Sequence, residues 1–170
     1  GGSELDECGV CDGDGIAEGE CDCDGNMPSY ECSDGTIVCD ISGCVTELSI
    51  GFGQFTSVGD WMYNLEVTYS STEPIAGFQF ELTGPTLVGL EGGAAEDAFG
   101  AGGVQWSDLG IVIGFSMTGA VIPAGEGLLM NLWIQGGESG TACLNDVVIS
   151  DAAGGAFDEV TVGDCVDVSD

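Results

Sequence analysis

A chain of 170 residues with thirty Asp plus Glu and no Lys, Arg or His carries a formal charge of −30 at pH 7, so no carboxylate can pair with a side-chain cation of its own chain. Phosphate backbones are bound through Lys or Arg and anionic membrane surfaces repel a polyanion, which excludes nucleic acid and membrane insertion. Histidine-dependent triads and Schiff-base lysines are equally impossible, and because thirty acids supply chance carboxylate pairs without arguing for a glycosidase, the chain reads as no enzyme.

Residues 1–44 hold seven of the nine cysteines and twelve of the thirty acids, with few large apolar side chains. Such a segment cannot bury enough apolar surface to fold alone, so disulfides and metal are expected to hold it. Cysteine usage of this kind belongs to an oxidising compartment, which places the protein outside the cell or on its surface. No signal peptide is evident and no apolar run reaches about 18 residues, so the chain reads as mature and soluble.

The acids of this segment are grouped. Asp12-Gly-Asp14-Gly is followed by Glu20, then by Asp22-Cys-Asp24-Gly-Asn26, with no helical or strand periodicity. Calcium takes six to eight hard oxygen ligands and would relieve the mutual repulsion of these carboxylates. The expected ligands are Asp12, Asp14, Asp22 and Asp24, with Glu20 and Asn26 as weaker donors; a solvated acidic loop is the bland alternative. Asp22, Asp24 and Asn26 match positions 1, 3 and 5 of an EF-hand loop, but Met27 replaces the turn glycine and Ser33 the bidentate Glu, so a full EF-hand is rejected. Cys8, Cys11, Cys21 and Cys23 have spacings open to zinc, yet thiolate ligation wants a reducing setting and the same spacings suit disulfides. Through Asp12-Gly-Asp14-Gly-Ile16 leading to Cys21-Asp22 the segment resembles thrombospondin type 3 calcium repeats, which implies calcium held by loops with little other structure.

From residue 45 to 170 the pattern is that of strands. Trp61, Tyr63, Leu65, Val67 and Tyr69 alternate with polar residues and Met62, as a half-buried strand requires, and Phe78, Phe80 and Leu82 do the same. Further runs cover 111–117, 128–135 and 144–149, separated by turn signals at 57–60, 73–74, 84–85, 92–93, 123–127, 136–137 and 154–155. Ala94 to Phe99 allows one helical turn at most. About eight or nine short strands in such a length predict an all-β protein, an antiparallel β-sandwich. Cys143 and Cys165, the only cysteines of this segment, are expected to be bonded to each other.

Residues 75–82 (IAGFQFEL), 106–119 (WSDLGIVIGFSMTG) and 122–129 (IPAGEGLL) resemble the cohesin family of β-sandwich domains. The resemblance implies a nine-stranded, jelly-roll-like sandwich whose relatives serve binding and assembly outside the cell. Cohesins take dockerin partners on one sheet face, which the sequence does not map here. The expected role is a structural or adhesive module, a repeat or protomer of a calcium- and disulfide-stabilised fibre. Its partners would be copies of itself, joined head to tail, or other surface proteins. The alternative is a protein- or glycan-binding module in which Trp61, Trp106 and Trp133 stack on sugars.

Overall fold

The computed structural model describes Glu18, Glu20, Cys21, Asp24 and residues 26–31, 37–39, 47–135, 140–157 and 159–168. The chain divides into two compact units, Gly1–Val45 and Thr46–Asp170. In the first, β1 (Tyr30–Glu31) and β2 (Ile37–Val38) pair antiparallel, with Tyr30 opposite Val38. A disulfide joins Cys21 to Cys39. This short hairpin is the regular structure seen in a segment whose sequence showed no periodicity.

Among its described residues the second unit is a β-sandwich of ten strands and one helix. One sheet has the order β12-β10-β5-β8-β7, built from β5 (Ile75–Thr83), β7 (Val104–Trp106), β8 (Ile111–Phe115), β10 (Thr141–Asp151) and β12 (Val166–Asp167). The other has the order β11-β3-β4-β9-β6, from β3 (Glu47–Gly59), β4 (Met62–Ser71), β6 (Thr86–Glu91), β9 (Gly125–Gln135) and β11 (Glu159–Val162). Every pairing is antiparallel except one: β11 runs parallel to β3, Glu159 opposite Glu47 through Val162 opposite Ile50. That pair corrects the wholly antiparallel expectation. It joins residues more than a hundred positions apart, which local alternation does not encode.

The inner faces meet in one core. Tyr63, Leu65 and Val67 on β4 face Phe78, Phe80 and Leu82 on β5, all buried, as their alternation requires. Tyr69 lies at the margin, its hydroxyl donating to the Pro123 carbonyl at 3.4 Å, and partial burial raises its pKa above the ordinary phenolic value. Trp61 departs from the strand it was assigned to. Asp60 and Trp61 have φ of 52° and 65°, the pattern of a tight hairpin turn, so Trp61 is 71 % exposed at the tip between β3 and β4.

Three other boundaries shift. The helix α1 (Gly93–Phe99) is longer than one turn, since the Glu96 carboxylate accepts the Gly92 N–H and Ala95 is buried against the core. Gly125 and Gly127, read as turn residues, begin β9 opposite Ser71 and Tyr69. Residues 47–59, absent from the expected strands, form the longest one.

Cys143 on β10 is bonded to Cys165, 22 residues later, just before β12. Gly84 (φ 105°) allows the close pass of β5 against β10: a Cβ there would lie 1.9 Å from the Thr141 carbonyl oxygen.

Candidate protein-binding face

On β8 the residues alternate strictly. Val112 and Gly114 point into the sandwich, and Ile111, Ile113 and Phe115 point out of it. The inward choice is enforced by Gly114, where a Cβ would come within 2.3 Å of the Phe78 ring. That ring needs the space, because it also stacks on Phe80 and Phe99 with centroids 6.1 Å from each. Packing inside the sandwich therefore turns two isoleucines and a phenylalanine to solvent, spaced about 7 Å apart along one strand.

The register across the sheet extends this ladder. Ile111 lies opposite Glu81 and Ile113 opposite Gln79 on β5, and Phe115 opposite Gly77, which leaves its ring uncovered. Beyond β5, Val148 on β10 lies opposite Gln79 and is 59 % exposed. The outward Gln79 of β5 stands between Ile113 and Val148, so the apolar row runs along β8 and Val148 is set apart from it by a polar side chain.

The loops at both ends of β8 continue it. Gly110 closes the leading turn, its N–H donating to the Ser107 carbonyl and its own carbonyl accepting the Leu82 N–H at 2.8 Å, and this turn presents Leu109, 73 % exposed. At the trailing end the Ser116 hydroxyl accepts the N–H groups of Thr118 at 3.2 Å and Ala120 at 3.0 Å. That small turn holds Met117 outward, 92 % exposed. Backbone bonds thus hold the leading turn and the Ser116 hydroxyl holds the trailing one. An apolar row facing solvent in this way is a candidate contact surface.

The three tryptophans do not share a face. Trp61 is in the β3–β4 turn, Trp106 ends β7 in one sheet, and Trp133 on β9 lies beside Gly89 in the other. The sugar-stacking strip expected of them is therefore not assembled, because they stand on separate elements.

Of the expected calcium ligands, Asp12, Asp14 and Asp22 lie outside the described residues. Glu20 is half-buried, and Asp24 and Asn26 are exposed. The Cys21 N–H donates to the Asn26 carbonyl at 2.6 Å, closing a loop around Asp24 that the Cys21–Cys39 bond anchors. Among the described residues no three His, Cys, Asp or Glu side chains gather as a metal site. None of their helices is long and apolar enough to cross a membrane.

No family model matches this chain, and no curated protein does. Solved structures do. The third cohesin of ScaC from Acetivibrio cellulolyticus, solved in complex with the ScaB dockerin, is 12 % identical over 72 % of this chain and 99 % of its own, with a TM-score of 0.56. A chain of the CaDoc0917–CaCohA2 complex is 17 % identical over the same shares, with a TM-score of 0.53. At these identities the likeness is one of fold: the second unit is a cohesin-like β-sandwich.

Proposed function

We propose that this chain is a non-catalytic, extracellular protein-binding module that takes its partner on the outer face of β8, β5 and β10. The observation that carries this reading is the solvent-facing ladder of Ile111, Ile113 and Phe115, with exposed Leu109 and Met117 in the loops at its two ends. A cohesin module of the same fold was solved bound to a dockerin, which supports a protein rather than a small molecule as the ligand. Four disulfide-bonded cysteines support an oxidising, extracellular setting. Because this chain brings only carboxylates, any charged pair at the rim must draw its cation from the partner. The finer form of the reading is a module repeated in a surface array, with the N-terminal segment as connector.

The test compares capture of secreted proteins from the native source by the unaltered chain and by Ile113→Asp. A captured protein is then purified and titrated by calorimetry. A buried charge at the centre of the face is expected to weaken binding by about 2 kcal/mol or more, roughly thirtyfold. The melting temperature should change little, since Ile113 points away from the core. Equal affinity of the two chains for the same protein would refute the assignment of this face.

Calcium belongs to the same proposal, held by Asp12, Asp14, Asp22 and Asp24 with help from Glu20 and Asn26. Support comes from a chain of formal charge −30 that has no side-chain cation of its own. An ion that binds only the folded state adds about 2.7 kcal/mol at a hundredfold excess over its Kd. Exhaustive chelation should therefore lower the melting temperature, with recovery on adding calcium back. No change on chelation would count against these ligands.

A further inference from the structure

The outer face of the other sheet, β11-β3-β4-β9-β6, has a different chemistry from that of β8. Tyr63, Leu65 and Val67 take the inner side of β4, so Asn64, Glu66, Thr68 and Ser70 stand outward in one row, about 20 Å long at the usual rise. Beside this row on β9, Trp133 lies opposite Asn64, and Asn131 opposite Glu66. Trp133 is partly exposed, and its neighbour on the far side is Gly89 of β6. A Cβ at Gly89 would touch the indole Cδ1 at 3.6 Å, so the glycine leaves that flank of the ring bare. The side-chain amides of Asn64 and Asn131 have no hydrogen-bond partner among the described residues.

At the Ser70 end the face sinks into a hollow of about 570 Å³, lined by Ser49, Thr68, Ser70, Thr161 and Glu126 among others. Its floor lies where β11 ends against β3. A Cβ on Gly163 would come within 3.1 Å of the Gly51 Cα, so the two backbones pass close there with no side chain between them.

We infer that this face binds a neutral glycan, laid along β4 from Trp133 to the hollow. The indole stacks on a pyranose ring, whose C–H groups meet the negative face of the π system. Amides and serine or threonine hydroxyls both donate and accept, and the Glu126 carboxylate accepts, so sugar hydroxyls find partners of either sense along the path. A glycan is favoured over a protein because a protein interface wants a desolvated apolar centre, whereas Trp133 stands here among amides and carboxylates. The glycan is neutral because a chain of formal charge −30 without Lys or Arg repels an anionic polymer and offers it no cation. The site lies on a different sheet from the proposed partner face and does not depend on it.

Native electrophoresis of the unaltered chain through gels containing soluble arabinoxylan, mixed-linkage β-glucan or galactomannan reads the binding directly, since a bound polymer holds back a fast-migrating acidic chain. Retardation is expected in at least one of these gels and not in polygalacturonate. Trp133→Ala should weaken it roughly tenfold or more, and Asn64→Ala and Asn131→Ala by smaller factors. Trp61→Ala and Ile113→Asp should leave it unchanged, which separates this site from the exposed hairpin tip and from the partner face. No retardation in any neutral gel would overturn the inference, and so would full affinity in Trp133→Ala or equal retardation by polygalacturonate. Loss of binding in Ile113→Asp with retention in Trp133→Ala would move the ligand to β8 and overturn it as well. If Trp133→Ala folds poorly, the two asparagine variants decide, each trimming one outward amide: unchanged affinity in both would refute the site.

Discussion

Phe80→Ala is expected to destabilise the sandwich by about 3–5 kcal/mol, the range found when a buried phenylalanine is truncated and its cavity only partly collapses. Phe80 is fully buried on β5, directly opposite Val112 on β8, and its ring stacks on Phe78. Phe78 in turn rests over Gly114 and against Phe99 of α1, so the cavity opens where two strands and the helix meet. Rearrangement there is limited, since moving the Phe78 ring would drive it into neighbours on both sides. A fall in melting temperature of roughly 10 °C or more follows for a domain of this size. Gln79→Ala, one residue away and exposed, should stay within about 0.5 kcal/mol of the unaltered chain. Similar urea midpoints for the two variants would show that the core is not centred on this ring.

Replacing both Cys143 and Cys165 by serine should cost about 3 kcal/mol, the loop-closure entropy returned to the unfolded chain by a link spanning 22 residues. The loss should begin locally. β12 meets β10 through two residue pairs, Thr141 with Asp167 and Ala142 with Val166, and such short pairing holds little by itself. Behind it Val168 is buried in the core, its N–H donating to the Gly140 carbonyl. Without the covalent link the amides at 166–168 are expected to exchange first, at a denaturant concentration where β4 and β9 remain protected. An unchanged melting temperature in the double variant, with unchanged exchange at 166–168, would show that the strand is held by packing alone.

The strands that could be read from the sequence are those with an unbroken phase. Tyr63, Leu65 and Val67 keep one parity through β4, and Phe78, Phe80 and Leu82 keep one through β5, and all six are buried. β3 does not keep it. Leu48, Ile50 and Phe52 turn inward, the bulge at Gly53 and Gln54 inserts one residue, and Phe55 then takes the inward position. A strand whose parity changes midway, with glycines at 51 and 53, gives no period-two signal over its length. Trp61 failed for a related reason, since its alternation continued into residues whose positive φ makes them a turn.

The partner face shows a different limit. In β8 both parities are apolar, Ile111, Ile113 and Phe115 on one and Val112 with Gly114 on the other, so alternation does not say which is buried. By bulk alone the larger set belongs inside. The Phe78 ring reverses this, because it fills the space over Gly114, where a Cβ would lie 2.3 Å from it.

Composition by itself determined which side-chain chemistry is unavailable, that of Lys, Arg and His, since a side chain that is absent from the sequence is absent from every fold of it. It also determined the strand-rich class and the bonding of Cys143 to Cys165, because alternation and the count of available cysteines are properties of the chain before it folds. Only the tertiary structure decided which face of β8 meets solvent and that β11 pairs parallel with β3. Both are set by residues remote in sequence: Phe78 is 36 positions from Gly114, and β11 reaches β3 across more than a hundred. Exposure is a relation between a residue and whatever packs on it, and those neighbours are fixed by the closure of the sandwich.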